Sequence, residues 1–347
     1  MKNKIHDLKG LIIGCGSIGT RHLHNLKSLG FTNIAIYDEN KQRINELSKK
    51  YDVTKFDSLD SALDEFKPCF SIICTYPSSH IKIASSCIDF NSHVFIEKPL
   101  STNLNGVENM LKKADKKKLK VAVGYNLRFD SGLNLLKKNL KKSSNSIPLS
   151  ILSQWGHNIK WWKPGTNFKN HYILQKGNGI ILDDSHEYDY VRWLLDDEVE
   201  SVYCQTRKSK TIQTKTESIA SIILKFKKGT IATFVIDYMR PYYERKCHII
   251  GENGDLKWEY VPKNDTRKQY GIKVNSSVIT RYSNHKKSIT KKFDVELNDM
   301  YVVEIKNFIN SIVNNKKPIV DGWDGIKTLK IGLAALSSSK TGKVVRV

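Results

Sequence analysis

The stretch Lys9-Gly10-Leu11-Ile12-Ile13-Gly14-Cys15-Gly16-Ser17-Ile18-Gly19 decides the fold. Its first five residues read as a short buried strand, and the remainder spells G-x-G-x-x-G. A helix-like run from Ser17 to Leu29 follows. A second apolar strand, Ile34-Ala35-Ile36-Tyr37, then ends in Asp38 at about the expected twenty-residue distance. Gly14 permits the tight turn, Gly16 lets the backbone approach a pyrophosphate, and Gly19 allows close helix-strand packing. The helix N-terminus at Ser17 and Ile18 attracts the phosphate charge. A carboxylate at Asp38 accepts hydrogen bonds from ribose hydroxyls and repels a 2′-phosphate, which favours NAD over NADP; Arg43 nearby works in the other direction. A glycine loop alone is often only a turn, but strand, loop, helix, strand and acid together point to dinucleotide binding.

Downstream, helix-like and strand-like segments alternate as a parallel sheet with crossover helices requires. Helices are expected from about Asn40 to Tyr51 and around Ser58 to Phe66, then a buried strand Phe70 to Cys74. The turn Thr75-Tyr76-Pro77-Ser78-Ser79-His80 leads into a helix to about Phe90. The strand His93-Val94-Phe95-Ile96 runs into Glu97-Lys98-Pro99, a helix Asn103 to Lys118 follows, and a strand Lys120 to Gly124 closes the series. Lys98 draws attention because strand carboxyl ends are where ligands bind in open α/β sheets, and because a proline pushes its predecessor out of helical conformations. Taken alone, the tripeptide also fits a solvated loop.

After the polar segment Lys141 to Ser146 the pattern changes to longer alternating strands: Val199 to Gln205, Ser218 to Phe226, Thr230 to Asp237 and Lys246 to Ile250. Turn signals such as Lys228-Gly229 and Glu252-Asn253-Gly254-Asp255 accompany them. The expected fold is therefore α/β: an N-terminal Rossmann domain with a parallel sheet over 1–126, and a C-terminal α+β domain with a large open, mostly antiparallel sheet over 127–347. Helices Asn298 to Val313 and Trp323 to Ser338 close the chain, the final one a candidate to pack back on the first domain. The open face of the sheet needs a cover, and a second subunit is the simplest one.

Composition sets the remaining bounds. At 347 residues the chain is long enough for two cores. It has no apolar run near membrane-spanning length and no signal-peptide pattern after Met1, and its six cysteines form no C-x-x-C pair, so a cytoplasmic protein is expected. A net charge of +22 invites a nucleic-acid reading. The lysines are scattered over helix faces, as in Lys112-Lys113 and Lys116-Lys117-Lys118, with no arginine-rich arm or RNA-binding aromatic motif. No nucleic-acid or membrane partner is expected; the charge favours an anionic substrate or an acidic partner instead.

The second chemical constellation lies in Gly177 to Leu195, read as one helix-bearing stretch. On a helix Asp183, His186 and Asp189 project to similar sides, and a histidine between two carboxylates is set up to exchange a proton near neutral pH. Zinc has no second histidine at i+4, so no metal is expected. The bland alternative is a helix whose Asp and His bond internally. His22, His80, His157 and His171 read as surface or structural residues. Trp155, Trp161, Trp162, His157, Lys160 and Lys163 cluster in the loop after the first strand of the second half, either to stack on a ligand, with Trp162 as the candidate, or to cover the core.

Together these motifs resemble the Gfo/Idh/MocA oxidoreductase family over nearly the whole chain. The matching stretches are Gly14 to His22, Thr75 to His80, Glu97 to Ser101, Gly124-Tyr125-Asn126-Leu127-Arg128-Phe129, and Gly177 to Leu195. The resemblance implies a nicotinamide cofactor, a homodimer or homotetramer, a catalytic lysine at Lys98, an acid at Asp183 and a histidine at His186. It places Thr75, Tyr76, Pro77, His80, Glu97 and Lys98 beside the cofactor, and Lys98, Tyr125, Arg128, Asp183 and His186 beside substrate. Two features depart from the family pattern. Many members separate acid and histidine by four residues, so Asp184 or a displaced Asp183 takes the acid's place here, and Tyr76 stands where a Thr-Pro pair is usual. Both look like those of a subgroup of bacterial surface-sugar biosynthesis enzymes. The expected reaction is hydride transfer between nicotinamide and a sugar ring hydroxyl or ketone. A redox-neutral NAD-dependent glycosidase and a non-catalytic NAD-binding regulator stay open as alternatives.

Overall fold

The computed structural model describes residues 5–142, 148–162, 178–212, 214–252, 254–262, 274–283 and 286–347. Lys163, His171, Gly177 and most of the Lys141 to Ser146 segment lie outside or at the edge of these. The chain divides into two compact units, 1–125 with 301–327, and 126–300 with 328–347.

The first unit opens with β1 (Gly10–Ile13), α1 (Ser17–Ser28), β2 (Ile34–Tyr37), α2 (Lys41–Tyr51), β3 (Thr54–Lys55) and α3 (Leu59–Asp64). It continues with β4 (Phe70–Ile73), α4 (His80–Asp89), β5 (His93–Glu97), α5 (Val107–Lys116) and β6 (Val121–Gly124). All six strands are parallel, in the order β3-β2-β1-β4-β5-β6. That is the doubly wound order in which the sheet reverses direction beside the first strand, placing the glycine loop at the switch point. The apolar runs are continuous because both faces are covered: β1, β4 and β6 are buried at every position. Ile12, Ile36, Ile72 and Phe95 share one core with Leu23 and Leu26 from α1, and with Ile305, Phe308 and Ile309 from the later helix α10.

In the second unit a single 3-10 turn (Asn126–Phe129) precedes α6 (Ser131–Lys142), β7 (Ser150–Gly156), α7 (Ile159–Trp162), α8 (Ile180–Asp183) and α9 (His186–Leu195). Strands β8 (Val199–Arg207), β9 (Ile219–Phe226), β10 (Ile231–Asp237), β11 (Glu244–Gly251), β12 (Gly254–Pro262), β13 (Val274–Ser283) and β14 (Lys286–Asp294) follow. Helices α10 (Leu297–Val313) and α11 (Gly322–Thr341) and the short β15 (Val345–Arg346) complete the chain. The nine strands run β14-β13-β12-β11-β7-β10-β9-β8-β15. Only the central β7–β10 pair is parallel; the other neighbours are antiparallel. The period-two pattern sets the faces: in β9, Ala220, Ile222, Leu224 and Phe226 are buried, while Ser221, Ile223 and Lys225 are exposed. The buried face meets α6 and α9 in one core around Tyr188, Val191, Phe234 and Trp258.

Two expectations need correction. Trp155 is not in a loop: it is the sixth residue of β7 and almost fully buried, because strand alternation turns it to the core beside Tyr238. The stretch from Asp183 to Leu195 is not one helix either. It breaks at Asp184 and Ser185, where the Asp184 backbone leaves helical geometry at φ −102 and ψ 38. Among the described residues no helix is long and apolar enough to cross a membrane.

Candidate active site

The glycine loop is built for close approach. Gly14 has φ +89, and a side chain there would strike the backbone of Cys74 and Thr75 at 2.8 to 2.9 Å. A Cβ on Gly19 would lie 1.9 Å from the Gly14 carbonyl oxygen, whereas one on Gly16 meets nothing within 4 Å, so Gly16 faces open space. Helix α1 starts there with no side-chain cap and no acidic residue in its first turn. Its first N–H groups, from Ser17 and Ile18 onward, are therefore available to an anion. Asp38, at the end of β2, receives the Cys15 N–H at 2.6 Å and the Asn40 N–H at 2.8 Å. Arg43 pairs with the same carboxylate at 3.1 Å, but its guanidinium is 43% exposed, and such surface pairs are weak and exchangeable. The donors and glycines thus fit the pyrophosphate and ribose of a dinucleotide. Cys15 is buried in the loop, and its thiol is pushed up to about 12 by burial and by Asp38, so it stays protonated.

Lys98 sits half-buried at the carboxyl end of β5, and its peptide bond to Pro99 is cis. The turn that carries it is tied down on both sides. Before it, Glu97 points inward: His22 of α1 approaches Glu97 Oε1 at 2.6 Å, and the Lys98 N–H reaches Glu97 Oε2 at 3.3 Å. After it, the Pro99 carbonyl meets His80 Nδ1 at 3.0 Å, while His80 Nε2 meets the Thr75 carbonyl at 3.1 Å. Burial lowers the His80 pKa from its ordinary value, and the Thr75 and Pro99 carbonyls act against that shift. His80 thereby links the Thr75 turn to the lysine turn. On the Thr75 turn, Pro77 is buried, whereas Tyr76 is 63% exposed. Tyr125 is fully buried just past β6.

In the second unit, Asp183, Asp184, Ser185 and His186 are all buried around the break between α8 and α9. The break lies between Asp183 and His186, while Asp189 follows His186 on α9. Asp183 accepts the Tyr238 hydroxyl at 2.9 Å. Asp184 pairs with Arg245 at 3.0 Å, and Arg245 also lies 2.9 Å from Glu187, which is fully buried. Ser153 and Tyr190 donate to the other oxygen of Glu187, each at 2.8 Å. Burial raises the Glu187 pKa, and Arg245, Tyr190 and Ser153 act against that rise. Burial opposes the charge on Arg245 as well, but Tyr243, Glu187 and Asp184 more than offset it. Asp189, one turn after His186 on α9, has partners of its own. It forms a buried bidentate pair with Arg128 at 2.7 and 2.8 Å and accepts from Thr328 at 2.9 Å.

Several of these residues lay beyond sequence reasoning. Tyr238 and Arg245 are 55 and 61 positions from the acids they hold, and no local pattern announces them. Glu187 was visible as a carboxylate beside His186 at the start of a helix that is buried almost throughout. Trp162 ends α7, and its side chain is outside the described set. His157 is buried just past β7, and burial lowers its pKa to about 4, so it is neutral.

Myo-inositol 2-dehydrogenase of Thermotoga maritima is 27% identical over 353 residues, covering 97% of each chain. Inositol 2-dehydrogenase/D-chiro-inositol 3-dehydrogenase of Lacticaseibacillus casei is 24% identical, covering 97% of this chain and 93% of its own. Among solved structures, the WlbA dehydrogenase of Bordetella pertussis, in complex with NADH and UDP-GlcNAcA, shares the fold with a TM-score of 0.80 at 19% identity, covering 98% and 99% of the two chains. Residues 8–125 match the family described as oxidoreductase family, NAD-binding Rossmann fold, and residues 156–347 match its C-terminal alpha/beta domain. With both parts of the family pattern present in order, this chain belongs to the Gfo/Idh/MocA oxidoreductases.

Proposed function

We propose that this NAD-dependent oxidoreductase acts on a secondary hydroxyl of a six-membered polyhydroxylated ring: a sugar, sugar phosphate or nucleotide sugar, or a cyclitol such as the inositols named for its relatives. The observation that carries the reading is a complete dinucleotide cradle in the same unit as a lysine held at the carboxyl end of β5. A secondary alcohol suits these residues because its oxidation needs one hydride acceptor, one base and one donor to the oxygen.

Bound NAD supplies the hydride acceptor at nicotinamide C4. In the proposed reaction His186 takes the hydroxyl proton as the carbinol hydrogen leaves with its electron pair. The Lys98 ammonium hydrogen-bonds the same oxygen and stabilises the developing alkoxide. The product is the ring ketone; the reverse direction returns the proton from His186. Asp183, with its carboxylate oriented by Tyr238, binds a neighbouring hydroxyl or orients the imidazole. The net charge of +22 steers anionic substrates toward the protein, which favours phosphorylated or nucleotide-linked sugars. The His186-Glu187 and Asp189-Tyr190-Val191-Arg192-Trp193-Leu194 signature supports a place in surface-glycan biosynthesis. We place the reaction in the cytoplasm, a reading consistent with six free cysteines.

The test is anaerobic incubation of the protein with NAD and a panel of inositols and of free, phosphorylated and nucleotide-linked sugars. Absorbance of NADH is followed and products are weighed by mass spectrometry. A substrate-dependent rise with loss of two hydrogens from the ring compound is expected. Release of a leaving group without net NADH would replace this reading with the redox-neutral glycosidase cycle.

A further inference from the structure

We infer that His22, on the first helix, is a positioning residue for Lys98, acting through the Glu97 carboxylate. The inference rests on the reading of Lys98 as the catalytic lysine.

His22 is fully buried, with its ring edge-on to Phe95 at 5.4 Å and to Tyr301 at 6.0 Å. Its Nε2 faces Glu97 Oε1 at 2.6 Å, while its Nδ1 has no hydrogen-bond partner. An imidazolium would leave a buried N–H orphaned at Nδ1, a larger penalty than an unused acceptor lone pair. The arrangement that satisfies both residues is therefore a neutral ring donating from Nε2 to an ionised Glu97. A histidine used in this way serves as a rigid one-donor strut, with aromatic walls that fix its plane.

Glu97 is placed to pass this constraint on. Its second oxygen accepts from the Lys98 N–H at 3.3 Å, and its carboxylate lies over Gly124, the neighbouring residue on β6, where a Cβ would come within 3.1 to 3.3 Å of it. One oxygen is thus fixed by α1 and the other by the backbone of the residue whose side chain does the chemistry. This assigns Glu97 a different task from cofactor contact: its carboxylate points into the protein. His80 holds the far end of the same turn, so loss of His22 frees one end only.

The test is a double-mutant cycle in kcat, with NAD affinity measured by titration on every variant. His22→Leu removes the donor and keeps an apolar filler. It is expected to lower kcat roughly ten- to a hundredfold, the scale of a misplaced catalytic group, with NAD affinity within about threefold. His22→Gln, whose amide N–H reaches a similar point, is expected to restore most of that loss. In a Lys98→Ala background the Leu substitution should change kcat by less than about threefold, because a strut acting through Lys98 has nothing left to position. Near-normal turnover of His22→Leu beside a crippled Lys98→Ala enzyme removes this inference and leaves the reading of Lys98 intact. The same follows if the His22→Leu loss is undiminished in the Lys98→Ala background, or if His22→Gln loses as much as His22→Leu. Near-normal turnover of Lys98→Ala removes the underlying reading itself. Should His22→Leu fail to fold, Glu97→Ala breaks the same tie from the other side and takes its place in the cycle.

Discussion

Lys98 and His186 are ordinary side chains placed in unusual settings. The lysine is half-buried on a turn tied to two histidines, and the histidine opens a helix beside a buried ion network. Proton transfer by a positioned base contributes about a hundredfold to ten-thousandfold. His186→Ala is therefore expected to lose kcat on that scale while NAD titration stays within about threefold of the native protein. At this scale the sequence was most informative about identity and least informative about partners. Lys98 was marked by the proline after it and the apolar strand before it. Helical spacing put Asp189 on the side of His186, and it could not show that Arg128 gives that carboxylate two charge-assisted hydrogen bonds.

At the scale of elements, the glycine loop allows a sharp contrast between two substitutions. Gly19→Ala places a carbon 1.9 Å from the Gly14 carbonyl oxygen, so strand and helix must separate. Chemical denaturation is expected to show a loss above about 2 kcal/mol, with NAD binding impaired. Gly16→Ala meets nothing within 4 Å, so stability should change by no more than about 0.5 kcal/mol. The added methyl stands where the pyrophosphate approaches, and NAD affinity should fall at least about tenfold, about 1.4 kcal/mol. Strand β5 gives a pH prediction. Burial, with a smaller contribution from Lys120, lowers the pKa of His93 to about 4, and its ring accepts the Lys120 N–H at 2.8 Å. The unfolded chain binds a proton at this histidine near pH 6.5, where the folded chain does not. Its contribution is fully present above that value and is lost as pH falls from about 6.5 to about 4. Urea titrations across this window should show the native protein losing roughly 1 kcal/mol more than His93→Asn, since solvent screening at this partly exposed ring reduces the effect of the full shift. An unchanged difference between the two would contradict the assignment.

At the scale of the whole molecule, the nine-stranded sheet of the second unit leaves a surface to explain. Leu152, Thr233 and Ile223 are paired side by side across β7, β10 and β9, and Leu152 and Ile223 are more than 40% exposed. Ile231, on the same strand as Thr233, is 49% exposed. We propose that a second copy of this chain covers this face, forming a homodimer or a homotetramer. Light scattering after gel filtration should give an oligomer for the native protein. Ile223→Lys combined with Leu152→Lys should shift it to monomer while leaving NAD binding in place. An unshifted mass would locate the interface elsewhere, and a native monomer would remove the proposal.

The amino-acid sequence by itself determined the Rossmann unit almost strand by strand, because each buried parallel strand is a continuous apolar run and each crossover helix has its own period. It also marked Gly14 to Gly19, Asp38 and Lys98, since turn geometry and strand ends are local properties. Only the tertiary structure decided that Asp183 belongs to Tyr238, Asp184 and Glu187 to Arg245, Asp189 to Arg128, and Glu97 to His22. Those pairings join residues brought together by strand order and helix packing, and the need to satisfy buried charge, which no local spacing encodes, selects among them.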